Sequence, residues 1–163
     1  LEDNKSLKDA AAQTSAITGG TLDHLIINGA YLSSDSWHLD PTEFEGHEDQ
    51  LTTDLTRSAQ VNIAGNMYTI NAFLPLIRKG NAKKIVSISS GHAAHEVILQ
   101  GDIPTSVVYS AMKAALNVVI AKYAAELRPE GIKFLSLSPG AVETNGAPRK
   151  STSIRPFVVV DPC

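Results

Sequence analysis

The sequence predicts an α/β fold, a partial parallel sheet of three or four strands flanked by helices. Three observations predict it. Short apolar runs rich in β-branched residues recur at 25–27, 85–88 and 132–137. Long segments with helical periodicity separate each run from the next. Strands joined through helices pair in parallel, with right-handed crossovers that lay the helices on the sheet.

Residues 3–17 form an amphipathic helix in this reading, with Leu7, Ala11, Ala12 and Ser15 on one face and Gly19 and Gly20 as its stop. The continuous apolar run LDHLIING, 22–29, suits a strand buried on both faces. The polar stretch 33–50 reads as a surface loop broken by Pro41 and Gly46, with Trp37 as a lid or packing anchor. From 53 to 79, Leu55, Ala59, Ile63, Met67, Ile70 and Leu74 recur at steps of three and four. This predicts one long helix, strained only near Pro75. KKIVSISS, 83–90, alternates as a second strand, and a loop with Gly91, Gly101 and Pro104 follows. Residues 106–128 are a second long helix closed by the Pro129–Glu130–Gly131 turn, with Met112, like Met67, at a core position. IKFLSLSPG, 132–140, is the third strand, and 157–160 adds a short edge strand in an otherwise irregular tail.

The bulk properties bound the function. With 163 residues, 43% of them hydrophobic and 19% charged, the chain fits one ordinary core. A net charge of −3, with both signs interspersed, offers no footprint for nucleic acid or an anionic membrane. No apolar run has the length of a bilayer span, and the first residues lack a secretory pattern, so a cytoplasmic protein is expected. Cys163 is the sole cysteine, which excludes an intrachain disulfide and a cysteine-based zinc site. His92 and His95 have no third ligand in view and read as a solvated loop rather than a metal site.

Ligands of an open parallel sheet bind beyond the carboxyl ends of its strands. Tyr109 and Lys113 fall at that edge, one helical turn apart on one face, where the ammonium favours the phenolate and lowers the barrier to acid/base use. A hydroxyl at Ser90 can hold a substrate oxygen against the tyrosine. Asn62 is a polar residue within the apolar VNIAG, where its amide or a freed backbone carbonyl can bind a relay water.

These residues give the chain its resemblance to the short-chain dehydrogenase/reductase family, above all its fungal members. INGA at 27–30, VNIAG at 61–65, ISS at 88–90, YSAMK at 109–113 and SPGAVET at 138–144 occur in the family's order, across roughly 7–146. The resemblance implies a Rossmann-like sheet and a catalytic set of Asn62, Ser90, Tyr109 and Lys113, with Ser89 as the alternative serine. It also implies an NAD or NADP site built from Asn28, Gly29, Ala30, Lys113, Pro139, Gly140, Val142 and Thr144. In that scheme Tyr109 exchanges the substrate proton, and Lys113 lowers the tyrosine pKa and holds the nicotinamide ribose. Ser90 orients the substrate, and Asn62 places the water.

The sequence also departs from the family's pattern. The family's Gly-rich turn after its first strand, which receives the pyrophosphate on backbone amides, has no match, since no two glycines here are separated by one residue. The opening resembles the segment after the family's third strand, and nothing after Asn145 matches the family's substrate-loop helices. Residues 1–146 therefore read as an incomplete domain of this type and 147–163 as a tail. Charge-assisted contacts of the missing turn are worth about 1.5–3 kcal/mol each. The expectation is an oxidoreductase acting on a small-molecule carbonyl or secondary alcohol, with cofactor binding weakened or completed by another subunit. A homodimer through the two long helices accompanies it. The rival readings are a cofactor-independent isomerase, lyase or cyclase that reuses the site, and a non-catalytic interaction protein.

Overall fold

The computed structural model describes residues 1–140 and the backbone of Phe157–Val158. Strands β1 (His24–Ile27), β2 (Lys84–Ile88) and β3 (Lys133–Ser138) pair in parallel in sequence order, and β4 (Phe157–Val158) adds antiparallel to β3. Register sets Leu25 beside Ile85 and Ile85 beside Phe134. These three residues face the helices, and with Ile27 they form one core with Ile70 and Ile77 of α3 (Gly65–Lys79) and Leu116, Ile120 and Tyr123 of α5 (Val107–Leu127). Three parallel strands under helices are what the sequence patterning implied.

Helix α1 (Asn4–Thr18) begins at Asp3, whose carboxylate accepts the Lys5 amide at 2.9 Å, and stops at Gly19 in the left-handed region, φ 68°. Its buried stripe is narrower than expected, because Ala11 is buried whereas Ala12 is exposed. The first strand also differs from expectation: Leu25 and Ile27 are buried while Ile26 is 66% exposed. β1 is an edge strand with helices packed on one face, and an apolar run reads the same whether one face or both are covered.

The expected single helix is three pieces: α2 (Glu48–Ala59), a π-helical turn at Gln60–Ala64, and α3. Helix begins earlier than the sequence suggested, and the segment before it contains a 3-10 turn at Pro41–Phe44. The irregularity lies at Asn62, not at Pro75, which sits inside α3 on its exposed side. One extra residue in the π turn rotates the face that follows. The buried side around the turn is polar, with Asp54 and Ser58 before it, Asn62 within it and Asn66 after it, whereas Leu55 and Met67 are 38% and 37% exposed. The stretch between Ser90 and Tyr109 is likewise not one loop, since it holds a 3-10 turn, Gly91–Ala93, and a short helix α4, His95–Gln100.

Candidate active site

Ser90 lies two residues past the end of β2, and Tyr109 lies in the first turn of α5, so strand end and helix start deliver their hydroxyls to one place. The Ser90 side chain lies near enough to the Tyr109 phenol to oppose part of the rise in its pKa, and its Oγ accepts the His92 amide at 3.2 Å. Its neighbour Ser89 is turned inward, 3% exposed, and donates to Asn117 Oδ1 at 2.8 Å. Alternation along the strand end separates the two serines, one into the helix layer and one toward the tyrosine.

Lys113 is 3% exposed and donates from Nζ to the Ile88 carbonyl at 2.6 Å. Burial lowers its pKa from the ordinary 10.5 to about 8, so the ammonium is retained at neutral pH. An ammonium has three donors, and among the described residues one goes to Ile88, leaving two for a bound group. Lys113 Nζ lies 5.7 Å from the Tyr109 ring centroid. Yet the phenol does not show the depressed pKa expected from this cation. Burial holds Tyr109 above the ordinary tyrosine value, and the Ser90 hydrogen bond pulls only partly the other way. In this state Tyr109 is a protonated acid.

Asn62 is fully buried, but its amide is not free to hold water. Asn62 Oδ1 accepts the Tyr31 amide at 2.7 Å and Nδ2 donates to the Tyr31 carbonyl at 2.9 Å, while Asn66 Nδ2 donates to the Asn62 carbonyl at 2.9 Å. The residue pins the chain leaving β1, and the relay-water expectation gives way to that role for the amide. Within the π turn the Asn62 carbonyl thus has a side-chain partner.

Asn28, Gly29 and Ala30 are exposed just past the carboxyl end of β1. Pro139 and Gly140 follow β3, with Gly140 at φ 76°, a conformation that favours glycine. Val142 and Thr144 lie outside the described residues. The residues present fit the ribose end of a dinucleotide: a buried cation with unused donors, between two exposed strand ends. The described residues contain no glycine-rich turn for a pyrophosphate.

Sequence reasoning missed several contributors. Asp54 is 2% exposed and accepts from the hydroxyl of Ser36 and, at 3.0 Å, from Gln50 Nε2. Ser106, just before α5, has φ 59° and donates to the Trp37 carbonyl from both its amide, at 2.8 Å, and its hydroxyl, at 3.1 Å. Trp37 is thus anchored by its backbone, with the indole half exposed. His92, expected in solvent, is half-buried with its pKa lowered by burial, and His95 opens α4. Trp37 and His92 stand out in the sequence by residue type, whereas the roles of Asp54 and Ser106 depend on contacts distant in sequence.

A family model described as short chain dehydrogenase matches residues 1–154. The short-chain dehydrogenase/reductase iacC of Pestalotiopsis fici is 42% identical over 144 residues, covering 88% of this chain and 53% of that protein. The short-chain dehydrogenase/reductase atnB of an Arthrinium species is 42% identical over 146 residues, covering 90% of this chain and 55% of its own length. The structure of an NADPH-bound carbonyl reductase from chicken fatty liver shares the fold, with a TM-score of 0.68 at 24% identity, covering 85% of this chain and 54% of that one. The chain spans about half the length of the curated relatives it matches.

Proposed function

The chain belongs to the short chain dehydrogenase family, and from that premise we propose that it reduces a small-molecule carbonyl, or oxidises the corresponding secondary alcohol, with NAD or NADP as cofactor. The observation that carries the reading is the convergence of Ser90 and the buried Lys113 on Tyr109 at the carboxyl edge of the sheet.

A nicotinamide held at this edge would supply, or accept, the hydride at the substrate carbon. Tyr109, kept protonated by burial, donates its proton to the carbonyl oxygen, so that C=O becomes CH–OH and the tyrosine is left as phenolate. Ser90 holds the same oxygen and stabilises the charge that develops there. The Lys113 ammonium offsets the new phenolate and would donate to ribose hydroxyls with the protons Ile88 leaves free. Asn28, Gly29 and Ala30 would hold the adenosine side, and Pro139 and Gly140 the nicotinamide side; Val142 and Thr144, also expected there, lie outside the described residues. Asn62 acts by holding Tyr31.

A homodimer through α3 and α5 fits the groove between these helices, lined by Met67, Leu74, Val119, Tyr123 and Leu127. Among the described residues no helix is long and apolar enough to cross a membrane.

NADPH and NADH oxidation followed by absorbance against a panel of aldehydes and ketones tests the reading. Tyr109→Phe should lower kcat/KM by roughly 10²–10⁴, the usual worth of a positioned acid, while leaving cofactor affinity in place. Equal turnover by wild type and Tyr109→Phe would overturn it.

A further inference from the structure

The chain leaving β1 is tied down at three successive points, each by a different element. Asn62 of the π turn holds both backbone groups of Tyr31. Asp54 of α2 holds Ser36, itself 3% exposed. Ser106, at the mouth of α5, holds the carbonyl of Trp37 twice. A further bond, from the Leu39 amide to the Ser36 carbonyl at 3.1 Å, closes the segment into a turn.

The last tie reaches the chemistry. Ser106 lies three residues before Tyr109, and its carbonyl accepts the Ser110 amide at 2.9 Å, so it sits in the hydrogen-bond ladder of the turn that carries the phenol. Its left-handed backbone, φ 59° and ψ 37°, is costly for a residue with a Cβ and persists where surrounding contacts over-determine it. The contacts that do so are the two bonds to Trp37. Trp37, Ser36, Ser33, Leu32, Ser106 and Tyr109 all line one small pocket, so the Trp37 segment and the tyrosine share its wall. A buried carboxylate must be hydrogen-bonded to be tolerated, and Asp54 takes its bonds from Ser36 and from Gln50. Its position therefore fixes where Ser36 and Trp37 lie.

We propose that Asp54 and Ser106 are positioning residues that clamp the Trp37 segment against the first turn of α5, making Trp37 a fixed wall of the substrate site and setting how deeply Tyr109 is buried. The inference rests on Tyr109 being the reacting group.

Its test needs no turnover, so an inactive chain would defeat the functional reading and leave this experiment standing. Trp37 is the sole tryptophan, and its fluorescence anisotropy decay reports its freedom directly. The Tyr109 titration is the tyrosinate absorbance step absent from Tyr109→Phe. Other titratable or charged groups on the elements around it are Lys113 on its own helix, His92 on the turn after Ser90 and Asp54 on α2; none is altered in Ser36→Ala. In Ser36→Ala and Asp54→Ala, the residual anisotropy of Trp37 should fall about twofold as nanosecond motion is released, and the Tyr109 step should move down toward the ordinary phenol value as water enters. Asp54→Asn, which keeps an acceptor for Ser36, should retain the wild-type behaviour. If Asp54→Ala fails to fold by circular dichroism, Ser36→Ala decides. A Trp37 that loosens while the Tyr109 step stays in place would overturn the proposal, as would a Trp37 that never loosens.

Discussion

Burial decides the charge state of both members of the Tyr109–Lys113 pair. It raises the phenol, keeping the proton the reaction needs, and it lowers the lysine to about 8, so the cation survives at neutral pH but not far above it. The lysine shift has a stability consequence with a definite sign. Its folded pKa lies below the ordinary 10.5, so between about 8 and 10.5 the unfolded chain still holds a proton that the folded chain has released. Stability from this group therefore rises with pH across that window and is lowest below it, where the buried ammonium must be kept. Urea unfolding of wild type against Lys113→Met should show the wild-type midpoint gaining on the variant as pH rises through the window; a constant difference would contradict the burial account. Tyr109 and Lys113 are legible because they stand out one turn apart on an apolar helix, whereas Ser90, between Ser89 and Gly91, is legible only from its place past a strand in the ordered motifs. Asn62 was legible as a residue but not in its action: that its amide goes to Tyr31 depends on where the chain turns after β1. Ser106 left no signal at all, since its left-handed backbone is set by a carbonyl far away in sequence.

At the level of elements, the joint between α3 and β1 shows how little room the layers leave. Leu22 donates its amide to the Leu76 carbonyl at 3.1 Å, which draws the strand entrance against the helix end at Gly80. A Cβ at Gly80 would overlap the Leu22 carbonyl oxygen, and both sides of that contact are backbone. Gly80→Ala should cost about 1–3 kcal/mol, as overpacking typically does, read from chemical denaturation; an unchanged midpoint would show that the joint can open. The elements themselves were largely legible, because alternation in β2 and β3 and the apolar content of α5 survive in the sequence. The phase of α2 and α3 was not. A π turn inserts one residue where the local pattern VNIA looks regular, and the face of α2 that becomes buried is polar because it meets the Trp37 segment and α5 rather than the apolar core.

The whole molecule has an apolar layer on one face of its sheet and surfaces elsewhere that a partner can use. Met67 and Val118, on α3 and α5, are 37% and 60% exposed, and an apolar helix pair of this kind is the surface through which two copies would associate. Sedimentation velocity should give a dimer for the wild type and a shift to monomer in Met67→Glu, with the fold retained because the site is already accessible. A monomeric wild type would remove the dimer from the proposal. If Lys113 and the strand ends around Tyr109 form the ribose side of a nicotinamide site, calorimetric titration with NADPH and NADH should give saturable binding of one or the other that is lost in Lys113→Met. Absence of binding at millimolar cofactor, or equal binding by wild type and Lys113→Met, would rule that site out.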